Sequence, residues 1–132
     1  MKKVTFNFAD LNIGVDVEEI GRFEGRDILA DKTFLGRVFT KNELKYCFSK
    51  KNKAEHLAGR FSAKESIFKA LSGLSAPVIK FSDIDIVNDK KGMPQASLLG
   101  NNFKHYDVKV SISHSKGMVF SAAIATIKNV KR

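Results

Sequence analysis

A chain of 132 residues is the size of one domain, long enough to bury a single core and too short for two of ordinary size, so residues 1–132 are read as one unit. With 43% hydrophobic and 28% charged residues, two prolines and nine glycines, the composition excludes a tail or linker; no apolar run approaches the roughly 20 residues of a membrane span, and the opening Met1-Lys2-Lys3-Val4-Thr5 lacks an apolar signal core, so a soluble cytoplasmic protein is expected. The formal charge of +9 favours an acidic protein, a polyanion or a phosphorylated ligand as partner, without choosing among them.

The first segment, VTFNFADLNIGVDVEEI, alternates apolar residues at Leu11, Ile13, Val15 and Val17. That is the period of a strand with one face buried, and Asn12, Gly14 and Asp16 then share the other, wetter face. EEIGRFEGR opens a basic helix or turn. DKTFLGRVFTKNELKYCF follows, with a break at Thr40, whose hydroxyl caps a helix while Glu43 completes a Thr-x-x-Glu capping box. Cys47, the single cysteine, excludes an internal disulfide and argues against a cysteine metal cage; it is a packing residue or a partly exposed helix thiol. Arg22, Arg26, Lys32, Arg37, Lys41, Lys45, Lys50, Lys51 and Lys53 crowd this stretch. They read either as a docking face for something acidic or as a solvated helix surface.

After the loop SKKNK, a helix is predicted from about Ala54 to Leu71, where Leu57, Phe61, Phe68 and Leu71 recur at steps of three and four. Ser72, Gly73 and Pro77 in SGLSAP supply its stop. FSDIDIV alternates as a strand, NDKKG turns, and Met93 to Leu99 returns as the second arm of a hairpin. DVKVSISHS and MVFSAAIATI alternate on either side of Lys116-Gly117 and make a second hairpin. The order of strand, helices and four further strands leaves little room for parallel crossovers, which predicts an α+β fold with an antiparallel sheet packed on helices.

Three places carry chemistry. In RFSAKESIFKAL, Glu65 and Lys69 have the spacing and orientation of a helix ion pair, an arrangement that contributes only about 0.3 to 0.5 kcal/mol when exposed. Both charges nevertheless border the apolar stripe, where a charge ordinarily has a partner or a ligand. Asp16 sits in a strand-like run, where aspartate is disfavoured, beside Gly14, which leaves room for a close approach to the backbone. Asp16 and Glu65 together offer two hard oxygen ligands of the kind Mg²⁺ accepts with water and phosphate; alone, Asp16 also reads as a carboxylate on a wet face. In SISHS, Ser113 and Ser115 flank His114 at a strand end, where a histidine is a hydrogen-bonded structural residue as readily as a catalyst. His56 and His105 lack distinctive surroundings, and neither a P-loop nor a dinucleotide fingerprint is present.

Taken in order, IGVDVEEIGRF, FTKNEL, LAGRFSAKESIFKAL, FSDIDIVNDKKGMP and VSISHS resemble the holo-acyl-carrier-protein synthase family of 4'-phosphopantetheinyl transferases over nearly the whole chain. Gly-Val-Asp and Lys-Glu-Ser-x-x-Lys, about fifty residues apart, are far more selective together than either is alone. The resemblance implies an α+β subunit that assembles as a trimer with Mg²⁺-dependent sites between neighbours. It also implies transfer of phosphopantetheine from coenzyme A to a serine of apo-acyl carrier protein, in support of fatty acid biosynthesis, with adenosine 3',5'-bisphosphate released. Asp16 and Glu65 match the family's metal ligands, with Glu65 and Lys69 the catalytic residues. Arg60 and Lys69 match coenzyme A contacts, as do Ser113 and His114 from the neighbouring subunit. Arg22 matches a carrier-docking arginine, and Arg26 is placed with it.

These residue types suit the chemistry, because phosphoryl transfer depends on positioning and on neutralising charge. The serine proton has two candidate acceptors, Glu65 and a metal-held water, and Mg²⁺ and Mn²⁺ both accept such a site. Acyl carrier proteins are acidic, so the stretch from Arg22 to Lys53 acquires a partner whose attraction weakens as salt rises. Two departures stand out: SGLSAP replaces the family's usual Gly-Thr-Gly turn, and extra residues precede Ile13, in expectation an added piece of strand. Two rivals remain, a basic nucleic-acid-binding module, for which the chain carries no motif, and a family member that keeps the fold without the activity.

Overall fold

The computed structural model describes residues 7–128. Among these residues five strands and three α-helices occur in the expected order: β1 (Leu11–Glu19), α1 (Lys32–Val38), α2 (Lys41–Phe48), α3 (Lys53–Gly73), β2 (Ile84–Asn88), β3 (Pro94–Leu98), β4 (Tyr106–Ser115) and β5 (Met118–Ile127). All strand pairs are antiparallel, but they divide into two sheets, one in the order β1-β5-β4 and one formed by β2 and β3 alone. The fold class is therefore α+β. Leu11 and Asn12 are the added piece of strand, preceded by a 3-10 turn at Phe8–Asp10; residues 1–6, where the first predicted segment begins, lie outside the described residues.

The helix α3 organises the molecule. Small residues at Ala58, Ala63 and Ala70 let neighbouring elements approach, and Leu57, Phe61, Ile67 and Leu71 fill the space between them, so most of its circumference is buried. One cluster gathers Phe23, Leu35, Phe39, Cys47, Leu57 and Phe61 at its first half; a second gathers Ile67, Leu71, Ile84, Ile86 and Phe103 at its second. Each such side chain contributes about 1.5 to 3 kcal/mol on burial, so α3 is where most of the hydrophobic stabilisation meets. Gly73 is still helical, and the left-handed residue that turns the chain is Ser75, with φ of 55°. Gly73 is small for another reason: a Cβ there would lie 1.8 Å from the Asn12 side-chain nitrogen.

Thr40 caps α2 as expected, its hydroxyl accepting from Glu43 N at 3.2 Å while Thr40 N donates to Glu43 Oε1 at 2.8 Å. Glu43 does more than cap. It is fully buried and meets Lys64 Nζ at 2.7 Å, and its other oxygen accepts from Ile86 N at 2.8 Å. Lys64 also donates to the carbonyls of Phe81 at 2.7 Å and Ile84 at 2.6 Å, so one satisfied ion pair ties α2, α3 and β2 together.

One expectation is reversed. The apolar face of β1 is not the buried one: Ile13 and Val15 are 63% and 65% exposed, whereas Gly14 is buried and Asn12 and Asp16 are half-buried against α3. Alternation reports that a strand has two unlike faces, not which of them meets the helix. Gly14 decides it here, because a Cβ at that position would lie 2.0 Å from Ser66 O and 2.8 Å from Ala70 N. Only a strand face without a side chain at its centre allows α3 so close. The outward apolar row continues across the sheet with Phe120 and Ile124 of β5, both exposed.

Candidate active site

The inner face of β1 presents Asn12, Gly14, Asp16 and Glu18 to α3. The Asn12 side-chain amide donates to Ala70 O at 3.0 Å and to Lys69 O at 3.5 Å, which pins the strand to the helix backbone beside the Gly14 contact. Asp16 is thereby held over the middle of α3 with its side chain only 8% exposed. Lys69 Nζ donates to Asp16 Oδ1 at 3.2 Å and to Val15 O at 3.0 Å. Asp16 Oδ2 is buried and has no hydrogen-bond partner among the described residues. A buried acceptor left unmade is costly, and in native proteins it calls for an explanation such as an absent ion or water.

Glu65 stands one helical turn before Lys69. Burial first, and then the charge of Asp16, push its carboxyl above the usual glutamate range, against the opposing pull of Lys69 and Arg22. The two charges on the helix are thus not ion-pair partners of each other: the ammonium goes to Asp16. Arg22 also belongs to this group. Its guanidinium pairs with Glu18 Oε1 at 3.0 Å and lies over the Phe61 ring at 4.8 Å. Two carboxylates within electrostatic reach, one with an orphaned oxygen, suit a hard divalent cation that completes its shell with water and phosphate. Among the described residues no three His, Cys, Asp or Glu side chains converge into a full metal cage, so protein groups alone would not finish the coordination.

Arg60 lies elsewhere, since five positions along α3 turn it well away from Glu65. It is buried, with its guanidinium over the Tyr46 ring at 4.4 Å and Nη2 donating to Asn88 Oδ1 at 3.3 Å; Nε has no partner among the described residues. It lines a cavity of about 230 Å³ with His56, Gly59, Asn88, Pro94 and His114. His114 reaches this cavity by pairing with Glu55 Oε1 at 3.3 Å. Ser113 is on the opposite, outward face of β4, in register with Phe120, as the alternation of a strand requires. Within one chain, then, Asp16, Glu65, Lys69 and Arg22 come together, Arg60 and His114 come together separately, and Ser113 joins neither group.

Arg26 is partly exposed, bonded to Asp31 Oδ1 at 3.3 Å and stacked over Phe34 at 4.5 Å, and it lines a cavity of mixed charge with Glu24, Lys51, Lys53 and Glu55. Two residues were missed from sequence. His56, four positions before Arg60 on α3, is packed edge-on against Tyr46 at 5.3 Å, and burial and then Arg60 hold its pKa below the usual histidine value. Its spacing from Arg60 was the available signal. Glu18 follows Asp16 by one alternation and so had to share its face.

A family model described as the 4'-phosphopantetheinyl transferase superfamily matches residues 12–126. The chain is 44% identical over 107 residues to the holo-[acyl-carrier-protein] synthase of Protochlamydia amoebophila, covering 79% of this chain and 88% of that protein. Among solved structures, the Bacillus anthracis holo-(acyl-carrier-protein) synthase in complex with CoA (3',5'-ADP) superposes with a TM-score of 0.70 at 32% identity, over 89% of this chain and 96% of that one. The Chronobacterium ammoniagenes ACPS-CoA complex superposes with a TM-score of 0.74 at 25% identity, over 90% and 98%.

Proposed function

The chain belongs to the 4'-phosphopantetheinyl transferase superfamily, and from that premise we infer that it is a holo-acyl-carrier-protein synthase, moving phosphopantetheine from coenzyme A to a serine of apo-acyl carrier protein. The observation that carries this reading is the orphaned Asp16 Oδ2, buried beside Lys69 and within electrostatic reach of Glu65, in the positions that match the family's paired signatures. Asp16 and Glu65 would hold Mg²⁺, which would supply charge neutralisation for the transfer.

The chain's own residues do the rest. Lys69, the counter-ion of Asp16, donates a hydrogen bond to a phosphate oxygen of the bound substrate in its place and so stabilises the charge that develops there. Arg60, His56 and His114 line a cavity suited to the anionic nucleotide end. The carrier serine oxygen forms its bond to phosphorus as the pyrophosphate bond breaks, adenosine 3',5'-bisphosphate leaves, and the hydroxyl proton passes to Glu65 or to a water at the site. The B. anthracis relative, solved with CoA (3',5'-ADP), supports the nucleotide product.

Arg22 and Arg26, the first exposed and the second partly so, meet the acidic carrier protein, with the remaining basic residues steering its approach. The outward apolar row of Ile13, Val15, Val17, Phe120 and Ile124 supports a homotrimer, in which the outward face of a neighbour's β4 brings Ser113 toward the site of the next chain. The activity serves fatty acid biosynthesis in the cytoplasm. Incubating apo-acyl carrier protein with the enzyme, coenzyme A and Mg²⁺ and weighing the carrier by mass spectrometry tests it. A gain of about 340 Da, one phosphopantetheine joined to serine by a phosphodiester, is the expected result, and an unchanged mass sinks the reading.

A further inference from the structure

The residues before Ile13 and the SGLSAP turn are the two places where the chain departs from its family, and they meet in space. A helix leaves its last carbonyls without partners inside it. At the end of α3, the Leu74 N–H that a longer helix would return to Ala70 O bonds Leu71 O and Ser72 O instead. Ala70 O accepts from the Asn12 side-chain nitrogen at 3.0 Å, a donor on β1 that stands 58 residues away in sequence. Both partners of the amide, Ala70 O and the more distant Lys69 O at 3.5 Å, are carbonyls, so its NH₂ group faces the helix. The seat fits it closely: a Cβ on Gly73 would fall on the Asn12 amide itself. Gly73 is helical, so its lack of a side chain makes room for the amide and is not needed for a turn. Asn12 is also the first of three contacts from β1 to Lys69. The inner face of the strand sets Asn12, Gly14 and Asp16 in a row. Asn12 approaches the Lys69 carbonyl, a Cβ on Gly14 would lie 3.0 Å from Lys69 Cβ, and Asp16 Oδ1 accepts from Lys69 Nζ at 3.2 Å. One strand face thus holds a single lysine at its backbone, at the root of its side chain and at its ammonium.

We propose that Asn12, seated on Gly73, is a positioning residue for Lys69: by capping the end of α3 it fixes where the Lys69 ammonium meets the phosphate of the substrate. This rests on the reading above, in which Lys69 contacts a phosphate of coenzyme A. The Lys69 side chain is 51% exposed, so little packing encloses it and its reach is set by the backbone from which it grows. That backbone lies one turn before the end of α3, in the stretch where a helix frays once its carbonyls go unsatisfied. Misplacing a reacting group by about 1 Å costs up to about 100-fold in rate. A side chain that touches no substrate therefore still bears on the transfer, through the lysine it holds.

Calorimetric titration of coenzyme A into the full chain with Mg²⁺ present measures this without turnover, with thermal melts confirming that each variant is folded at the working temperature. Asn12→Ala removes the donor and is expected to weaken coenzyme A binding by about fivefold. Gly73→Ala displaces the amide without altering it and is expected to do the same. In a Lys69→Ala background both effects are expected to vanish, which a general loss of stability would not produce. In holo-carrier formation, Asn12→Ala is expected to lower kcat by about tenfold and to leave the KM for the carrier protein unchanged. Unchanged coenzyme A affinity in either single variant, a loss that persists without Lys69, or a raised carrier KM at unchanged kcat overturns the proposal. Lys69→Ala alone separates the underlying reading: if it binds coenzyme A as tightly as the unaltered chain, Lys69 is not a phosphate contact, whatever Asn12 does.

Discussion

The ammonium of Lys69 pairs with a carboxylate 53 residues away in sequence, Asp16, rather than with Glu65 one turn before it on the same helix. That choice follows from burial. Asp16 is the more deeply enclosed charge and gains most from a counter-ion, whereas Glu65 keeps contact with solvent. The sequence made both carboxylates conspicuous because each is misplaced, one in a strand and one at the edge of an apolar stripe. It made Lys64 inconspicuous for the opposite reason, since a lysine next to Glu65 on an amphipathic helix reads as one more surface charge, and only the fold shows its ammonium sealed between Glu43 and two carbonyls. Cys47 is another buried titratable residue, its thiol pushed up to about 12 from 9.0 by desolvation. The native thiol is therefore expected to resist iodoacetamide at pH 8 and to react only in denaturant, and rapid native labelling would contradict the burial. The sign for stability follows. The neutral thiol's contribution is intact below about pH 9, and above it the unfolded chain alone ionises, so stability falls by up to about 1.4 kcal/mol per pH unit toward pH 12.

Elements were legible in order, type and turn: the capped start of α2, the two late hairpins and the long α3 all follow from period and punctuation. The face β1 buries was not, because apolar residues outward and polar residues inward invert the usual rule, and the inversion depends on a contact between Gly14 and a helix fifty-odd positions later, well beyond any local pattern. The contact is also the device that sets Asp16 against α3. Gly14→Ala puts a methyl 2.0 Å from the Ser66 carbonyl, where neither backbone yields easily, and is expected to cost about 1 to 3 kcal/mol and to lower activity by displacing Asp16. Gly36→Ala is the control. Nothing lies within 4 Å of its would-be Cβ, and in the middle of α1 it is expected to stabilise by about 0.5 to 1 kcal/mol. Denaturant melts of the two variants decide the point, and equal stability would remove Gly14 as the organiser of the site.

On the scale of the whole molecule the two unused surfaces are a basic one and an apolar one, and they answer different needs. The +9 charge favours an acidic partner through an attraction that weakens with salt, while the apolar sheet face of Ile13, Val15, Val17, Phe120 and Ile124 is exposed in the single chain. Composition announced the first; the second was hidden, since the same residues read as core until the fold placed them outside. Val15→Asp is expected to convert a three-chain species to single chains in sedimentation, and an unaltered chain that sediments as a monomer at micromolar concentration would contradict the assembly. No described helix is long and apolar enough to cross a membrane. The proposed function requires Glu65 to be a cation ligand rather than half of a helix salt bridge. Its most direct test is the initial rate of holo-carrier formation by Glu65→Gln at limiting Mg²⁺: a fall of about 100-fold or more is predicted, and a rate equal to that of the unaltered enzyme would contradict it.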